Sequence, residues 1–478
     1  MDAKSYRSYR ELPPLAGIAT FSEAMTPGLA VEDAVARLKR HHWAFNRLRG
    51  IFTDRITAEP VYELKMGFSL HAHYCAEHAT AWRNRVGEMR EPPLGLDVCP
   101  DKTLDIFFDE ILAAPDTGSL VFGIYGQAIP LLRASLWQYL ADTNKLVDHP
   151  THRICRFALI ELDEMVKFGA QCVERLVSAD RRRALEPWRV ILTTLLAQAG
   201  NLDGSVPAVP GTPPRLYSVQ PHCYDSVPKR DERFFDRYNM GVAADTFVHD
   251  EKYAAGPKML MLYYKRMREI DVPEMMASIL VETRDKPWGY YRDMTRQLWD
   301  EARHAMMGEI GFVRAGIDWR KLVPLSVMFS ERLNTLRSPL ERHGALYFIE
   351  QTLMPRTGKR YEWEVAVEAG DPFGAMIQDY DWADEVLHAR IGREWYVKQF
   401  PDTKAAVAFG ENALVFHSDP TAARRELVAK GLTQHRNWWP DVYGEWCRVH
   451  GVNPDPQVIA YNARAASTEH TTVNESSG

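Results

Sequence analysis

The chain has 478 residues, 46% of them hydrophobic and 26% charged, and a net charge of −6. That length suits two to three domains with ample core, and the balance is that of an ordinary globular protein. A mildly acidic chain with no basic domain or arm speaks against nucleic-acid binding, and without a run of 18 apolar residues no membrane-crossing helix is expected.

Residues 1 to about 30 read as an irregular lead containing Pro13, Pro14 and Pro27. Its opening, MDAKSYRSYRELPP, lacks the apolar core of a signal peptide. From 31 to about 90 apolar residues recur at three and four, as in VEDAVARLKRHHWAFNRLRGIF, so this stretch predicts helix up to Pro92-Pro93. Further helices are predicted over 102–113 and 119–143. The next opens after Asp148-His149-Pro150-Thr151, capped by Asp148 or Thr151, and runs to about 177. One more covers 180–199. The stretch GNLDGSVPAVPGTPPRLYSVQPHCYDSVP that follows is rich in Pro, Gly and Ser and reads as a linker. A second helical block spans 257–462, with VAFGENALVFHS (407–418) as the best strand candidate, and AASTEHTTVNESSG reads as a disordered tail. The expected organisation is an all-α chain: a helical N-terminal domain (1–200), a linker (201–256), a helical C-terminal domain (257–462) and a tail (463–478). Six cysteines, none in a Cys-x-x-Cys pair, argue against a disulfide framework or structural zinc and fit a reducing cytoplasm.

Two segments carry chemistry. Asp300-Glu301-Ala302-Arg303-His304 and Asp384-Glu385-Val386-Leu387-His388 are both Asp-Glu-x-x-His in helical context. Residues at i and i+3 share a helix face, so Glu301 with His304, and Glu385 with His388, can each reach one metal ion. A di-metal carboxylate site in a four-helix bundle also needs one Glu from each of two further helices. In a helical hairpin, facing ligands lie equally far from the turn. With the first turn at Arg284–Gly289, Glu274 is favoured to face Glu301; Glu282 lies too near the turn and Glu269 is a less favoured choice. Before the second motif Glu350 is favoured, with Glu341 competing; Pro355 and Gly358 interrupt that helix. Four clustered carboxylates repel one another, and two divalent ions would balance them; oxygen with imidazole nitrogen suits iron or manganese. Asp300 and Asp384 can each orient the His of the opposite motif, and Arg303 can pair with one of them.

These residues resemble an uncharacterised family of ferritin-like proteins related in fold to the di-iron tRNA hydroxylase acting on modified adenosine. The likeness is carried by VPEMMA…DKPWGYYRDMTRQLWDEARH and FIEQTL…DEVLHARIGREWY, about 200 residues. It implies a ferritin-like four-helix bundle in the C-terminal half, two iron ions, and Glu274, Glu301, His304, Glu350, Glu385 and His388 as ligands. The N-terminal half, and the extension after 400, depart from the family's small-domain pattern.

The N-terminal half offers His71, His73, Glu77 and His78 on one helix and His152, Glu161, Asp163 and Glu164 on another. A second, degenerate metal bundle would want Glu-x-x-His, but the chain offers Glu161-Leu-Asp-Glu164, with Glu where the His would stand. Packed and capped polar residues are the expectation. For the whole chain the expected activity is that of a di-iron, or mixed iron/manganese, oxidase or oxygenase acting on a small organic substrate with dioxygen. Met306, Met307, Tyr347 and Phe348 are candidates to line its pocket. An electron donor and a homodimer are left open. The alternatives are a metal-binding, ferroxidase-type protein and a non-catalytic helical scaffold.

Overall fold

The structure is a computed structural model that describes residues 6–90, 95–416 and 420–461, with the backbone alone at 420, 421 and 423. The tail expected over 463–478, like Pro92-Pro93, lies outside the described residues. Regular structure is helical throughout, with no strand among the described residues, and no described helix is long and apolar enough to cross a membrane. All six cysteines are free.

The chain divides into two compact units: 1–55 with 70–224, and 56–69 with 225–478. The expected linker is therefore split at 224/225, and fourteen residues from the expected N-terminal domain, 56–69, belong to the second unit. We number the longer helices α1 (Val31–Ala58), α2 (Tyr62–Glu88), α3 (Lys102–Leu112), α4 (Ile129–Asp142), α5 (His149–Leu176) and α6 (Glu186–Ala199). α5 opens after Asp148 with Pro150 in its first turn, but the Asp148 carboxylate does not cap it. It accepts instead from Arg85, Tyr139 and Thr151. The Pro-rich segment is not slack. Backbone N–H groups of Leu216, Tyr217 and Ser218 donate to the buried carboxylate of Glu110 on α3, as does the Trp188 indole.

In the second unit we number α7 (Ala255–Arg268), α8 (Asp271–Glu282), α9 (Trp288–Arg314), α10 (Met328–Leu336), α11 (Pro339–Thr352), α12 (Lys359–Glu368), α13 (Pro372–Trp395) and α14 (Thr403–Leu414). α7 and α8 are two pieces of one run. Pro273 offers no N–H to the carbonyl of Glu269 four residues back, so the helix is interrupted there. α9 packs on α7, α8 and α13, and α11 packs on α8 and α13, so these helices surround one interior. α7 and α9 approach backbone to backbone at Gly308, where a Cβ would lie 2.3 Å from the backbone N of Met267. α11 starts with a capping box in which Ser338 and Glu341 satisfy each other's backbone N–H. α13 starts with Asp371 accepting from the N–H groups of Phe373 and Gly374, with Pro372 in its first turn.

The segment 407–418, expected as a strand, is helical up to Leu414 and is led by an Asp402 cap. Its buried residues, Ala406, Gly410 and Ala413, recur at three and four, and Gly410 sits against Gly344 of α11. Small residues at helical spacing, rather than alternation, set its conformation.

Candidate metal centre

The interior of the second unit is charged. Two groups of ligating side chains meet there: Glu301, Glu350, Glu385 and His388, and Glu269, His304, Asp381 and Glu385. Within each group one ligating atom per residue lies within 4.8 Å of all the others. The structure thus brings together Glu301, His304, Glu350, Glu385 and His388. Glu301 lies between the two imidazoles, with its oxygens 3.1 Å from His388 Nδ1 and 3.5 Å from His304 Nδ1. Glu385 belongs to both groups.

Glu274 is not part of either group. Its carboxylate is fully buried and accepts from Lys65 Nζ at 2.6 Å, Arg230 at 2.9 Å and Ser330 at 3.0 Å. Glu269 holds the expected place instead, 3.3 Å from His304 Nδ1. The reason is the turn. α8 ends at Glu282 and α9 starts at Trp288, which centres the turn on Asp285, a residue at φ 65. Midway between 269 and 301 lies 285, whereas Glu274 pairs with Glu301 only if the turn sits two to three residues later. Glu269 stands in the break that ends α7 whereas Glu274 lies inside α8, and the two carboxylates find different partners. Glu341 is half-buried and committed to its capping box. Glu282 accepts from Arg342.

The Asp residues reach across. His388 Nε2 faces Asp300 at 3.4 Å and His304 Nε2 faces Asp384 at 3.2 Å, each the Asp of the other motif. Arg303 donates to both Asp300 and Asp384. Donation from Nε2 leaves Nδ1 of each ring as a lone pair facing the interior. There it confronts carboxylate oxygens. Six of the two groups' buried ligating atoms make no hydrogen bond among the described residues: Glu269 Oε2, Glu301 Oε1, His304 Nδ1, Glu350 Oε2, Glu385 Oε2 and His388 Nδ1. Acceptors facing acceptors in a buried space are repulsive unless a cation lies among them. The proton affinities express the same demand. Burial opposes charge on His304 and His388, yet the surrounding carboxylates push both well above the ordinary imidazole range. Burial, with Glu385 and Glu301 nearby, pushes the Glu350 carboxyl well up.

Sequence reasoning missed three buried residues of this interior. Asp381 precedes Glu385 by one helical turn and is held by Lys359 at 2.8 Å and by Arg266. Lys359 also reaches Glu385 at 2.8 Å. The Asp381-x-x-x-Glu385 spacing was the available signal, since i and i+4 share a face. Lys359 and Asp381 lie symmetrically about Gly370, where the α12–α13 hairpin turns. Nothing in the sequence marks Arg266 as inward-facing. The two groups therefore differ: a lysine ammonium already serves the one containing Asp381, whereas His388's group has only Lys359's contact with the shared Glu385.

Of the suggested pocket residues, Tyr347 packs on Tyr396 and against Gly392. Phe348 lies beside Gly410, and Met306 and Met307 pack on the hydrophobic core. In the first unit the polar residues are paired locally: His71 with Tyr125, His78 with Glu161, Tyr74 with Glu164, His152 with Thr143. Among the described residues no ligating group occurs there.

Compared with known protein families, curated proteins and solved structures, the chain matches none.

Proposed function

We propose that the second unit is a di-metal carboxylate centre of ferritin-like type and that the protein is a non-haem di-iron, or iron/manganese, oxidase or oxygenase of a small organic substrate. One observation carries the reading: six buried, unpartnered ligating atoms from four helical segments converge with the composition of such a site. Glu269 and His304 would hold one ion, Glu350 and His388 the other, and Glu301 and Glu385 lie where both are in reach. Two divalent ions would offset the four glutamates. Bound iron supplies redox chemistry toward dioxygen; the protein's part is to hold and orient it. Asp300 and Asp384 fix the imidazole tautomers. Arg303 ties the two aspartates together and so keeps the rings facing inward. Lys359 and Arg266 hold Asp381, which keeps its charge from adding to that of the glutamates.

The test is metal content and oxygen uptake of the protein after anaerobic ferrous loading, for wild type and for Glu301→Ala/Glu385→Ala. The expected result is about two metals per chain with rapid oxygen consumption, both lost in the folded double variant. A folded wild type that takes up no iron or manganese would rule the reading out. Metal uptake without oxygen consumption would leave a metal-binding protein.

A further inference from the structure

A cavity of about 400 Å³ in the second unit lies between α7, α10 and the residues Leu414 and Phe416. Its wall combines the aromatic rings of Tyr264, Phe329 and Phe416 with the guanidinium groups of Arg268 and Arg332. Arg268 stands over the Tyr264 ring at 5.6 Å, and Arg332 over the Phe416 ring at 4.0 Å. Two acids also line the cavity; other cations hold both at close range, and Arg268 feels the charge of each. Asp245 takes Lys265 at 2.5 Å. Asp271 takes Arg230 at 2.6 Å and Ser330 at 2.8 Å. Among the described residues no hydrogen bond or ion pair engages the Arg268 guanidinium, which is half-buried in this wall.

We propose that this cavity is a binding site for a small organic oxyanion, an aryl group bearing a carboxylate or a phosphate. The planar guanidinium fork of Arg268 matches either oxyanion, the Arg332 cation adds positive charge to the wall, and the rings supply a face for the apolar body. The volume lies in the range of ligand sites. None of the proposed metal ligands lines the cavity, so the proposal stands or falls separately from the metal reading.

Calorimetric titration of the full chain with benzoate, phenyl phosphate and neutral benzamide tests it. The folded metal-free Glu301→Ala/Glu385→Ala variant runs alongside, so that anion binding at a metal is counted apart. Saturable binding of at least one anion, retained in that variant and absent for benzamide, is expected. Arg268→Gln and Arg332→Gln, each checked for an unchanged melt, should weaken it by about tenfold or more. Benzoate binding alone would identify a carboxylate site, and phenyl phosphate alone a phosphate site. The proposal is overturned if neither anion binds, if benzamide binds as well as they do, if binding disappears in the metal-free variant, or if both arginine variants bind like wild type.

Discussion

The two units fill their interiors in opposite ways. In the first, buried histidines sit singly among aromatic rings, His71 against Phe52, Tyr125 and Phe168 and His41 beside Trp82 and Tyr139, and the one fully buried carboxylate among the described residues, Glu110, is satisfied by backbone N–H groups, the Ser218 hydroxyl and the Trp188 indole. In the second, whole sets of charges are buried together, with Glu274, Glu301, Asp381, Lys359 and Arg266 each no more than 2% exposed. Isolated neutral polar groups cost little once bonded, so the first unit needs no counter-ion. A buried charge is tolerated when donors satisfy it, as they do Glu110, and several buried together need opposite charges among them. The second unit completes one set with its own cations around Glu274. It leaves the other, around Glu301 and Glu385, short of positive charge, and that shortfall is what the proposed metal ions would make good.

The sharpest break in this contrast comes at the set the protein completes itself. Arg230 joins Asp271 and Glu274 and also donates to the carbonyls of Leu325 and Ser326. Arg230→Met leaves two buried carboxylates with Lys65 as their remaining cation. The expected loss is about 3–5 kcal/mol in urea unfolding. A loss under about 1 kcal/mol would mean that solvent reaches the set, and its distinction from the unit's surface would vanish.

A smaller effect is expected at Gly308. The α7–α9 approach there has no room for a methyl group, because the atoms it would meet are backbone atoms of Met267 and Tyr263. Gly308→Ala should cost about 1–3 kcal/mol. It should also draw Glu269, at the end of α7, away from His304. On the proposed metal reading, metal analysis of the variant should then show binding between Glu269 and His304 weakened and binding between Glu350 and His388 retained. Equal loss of both would show that the two positions are not independently built.

The all-helical character and the paired motifs were legible because periodicity and i, i+3 spacing are local properties of the chain. So was the crossing of Asp300 and Asp384, which follows from setting two like motifs face to face. Glu269 was not, because its choice over Glu274 depends on the turn centre to within two residues and on the break that Pro273 makes. Lys359, Arg266 and Arg230 were not, because nothing local tells a buried cation from the many solvated ones. The strand reading of 407–418 failed where Ala406, Gly410 and Ala413 mark a helix face by smallness rather than by hydrophobicity.

The smallest effect sharpens the comparison from the side of the first unit. His41 is wholly buried, its two nitrogens make no hydrogen bond among the described residues, and burial lowers its pKa to about 4. His42 and His71, at about 4 and about 3, are lowered by burial in the same way. The folded values lie below the unfolded value of about 6.5, so between these limits the unfolded chain binds protons that the folded chain refuses. Stability is therefore complete above about pH 6.5 and falls as the pH drops toward 4, by about 1.4 kcal/mol per pH unit for each such histidine. His41→Leu removes one of these terms and leaves no partner unsatisfied. Urea unfolding followed by amide exchange in α1 and α2 should show the acid slope reduced by about 1.4 kcal/mol per pH unit, with stability at pH 7.5 no lower than wild type. An unchanged slope would place a proton or a bound water on His41 in the folded state. The interior of the first unit would then resemble that of the second more closely than its neutral, ring-packed histidines imply.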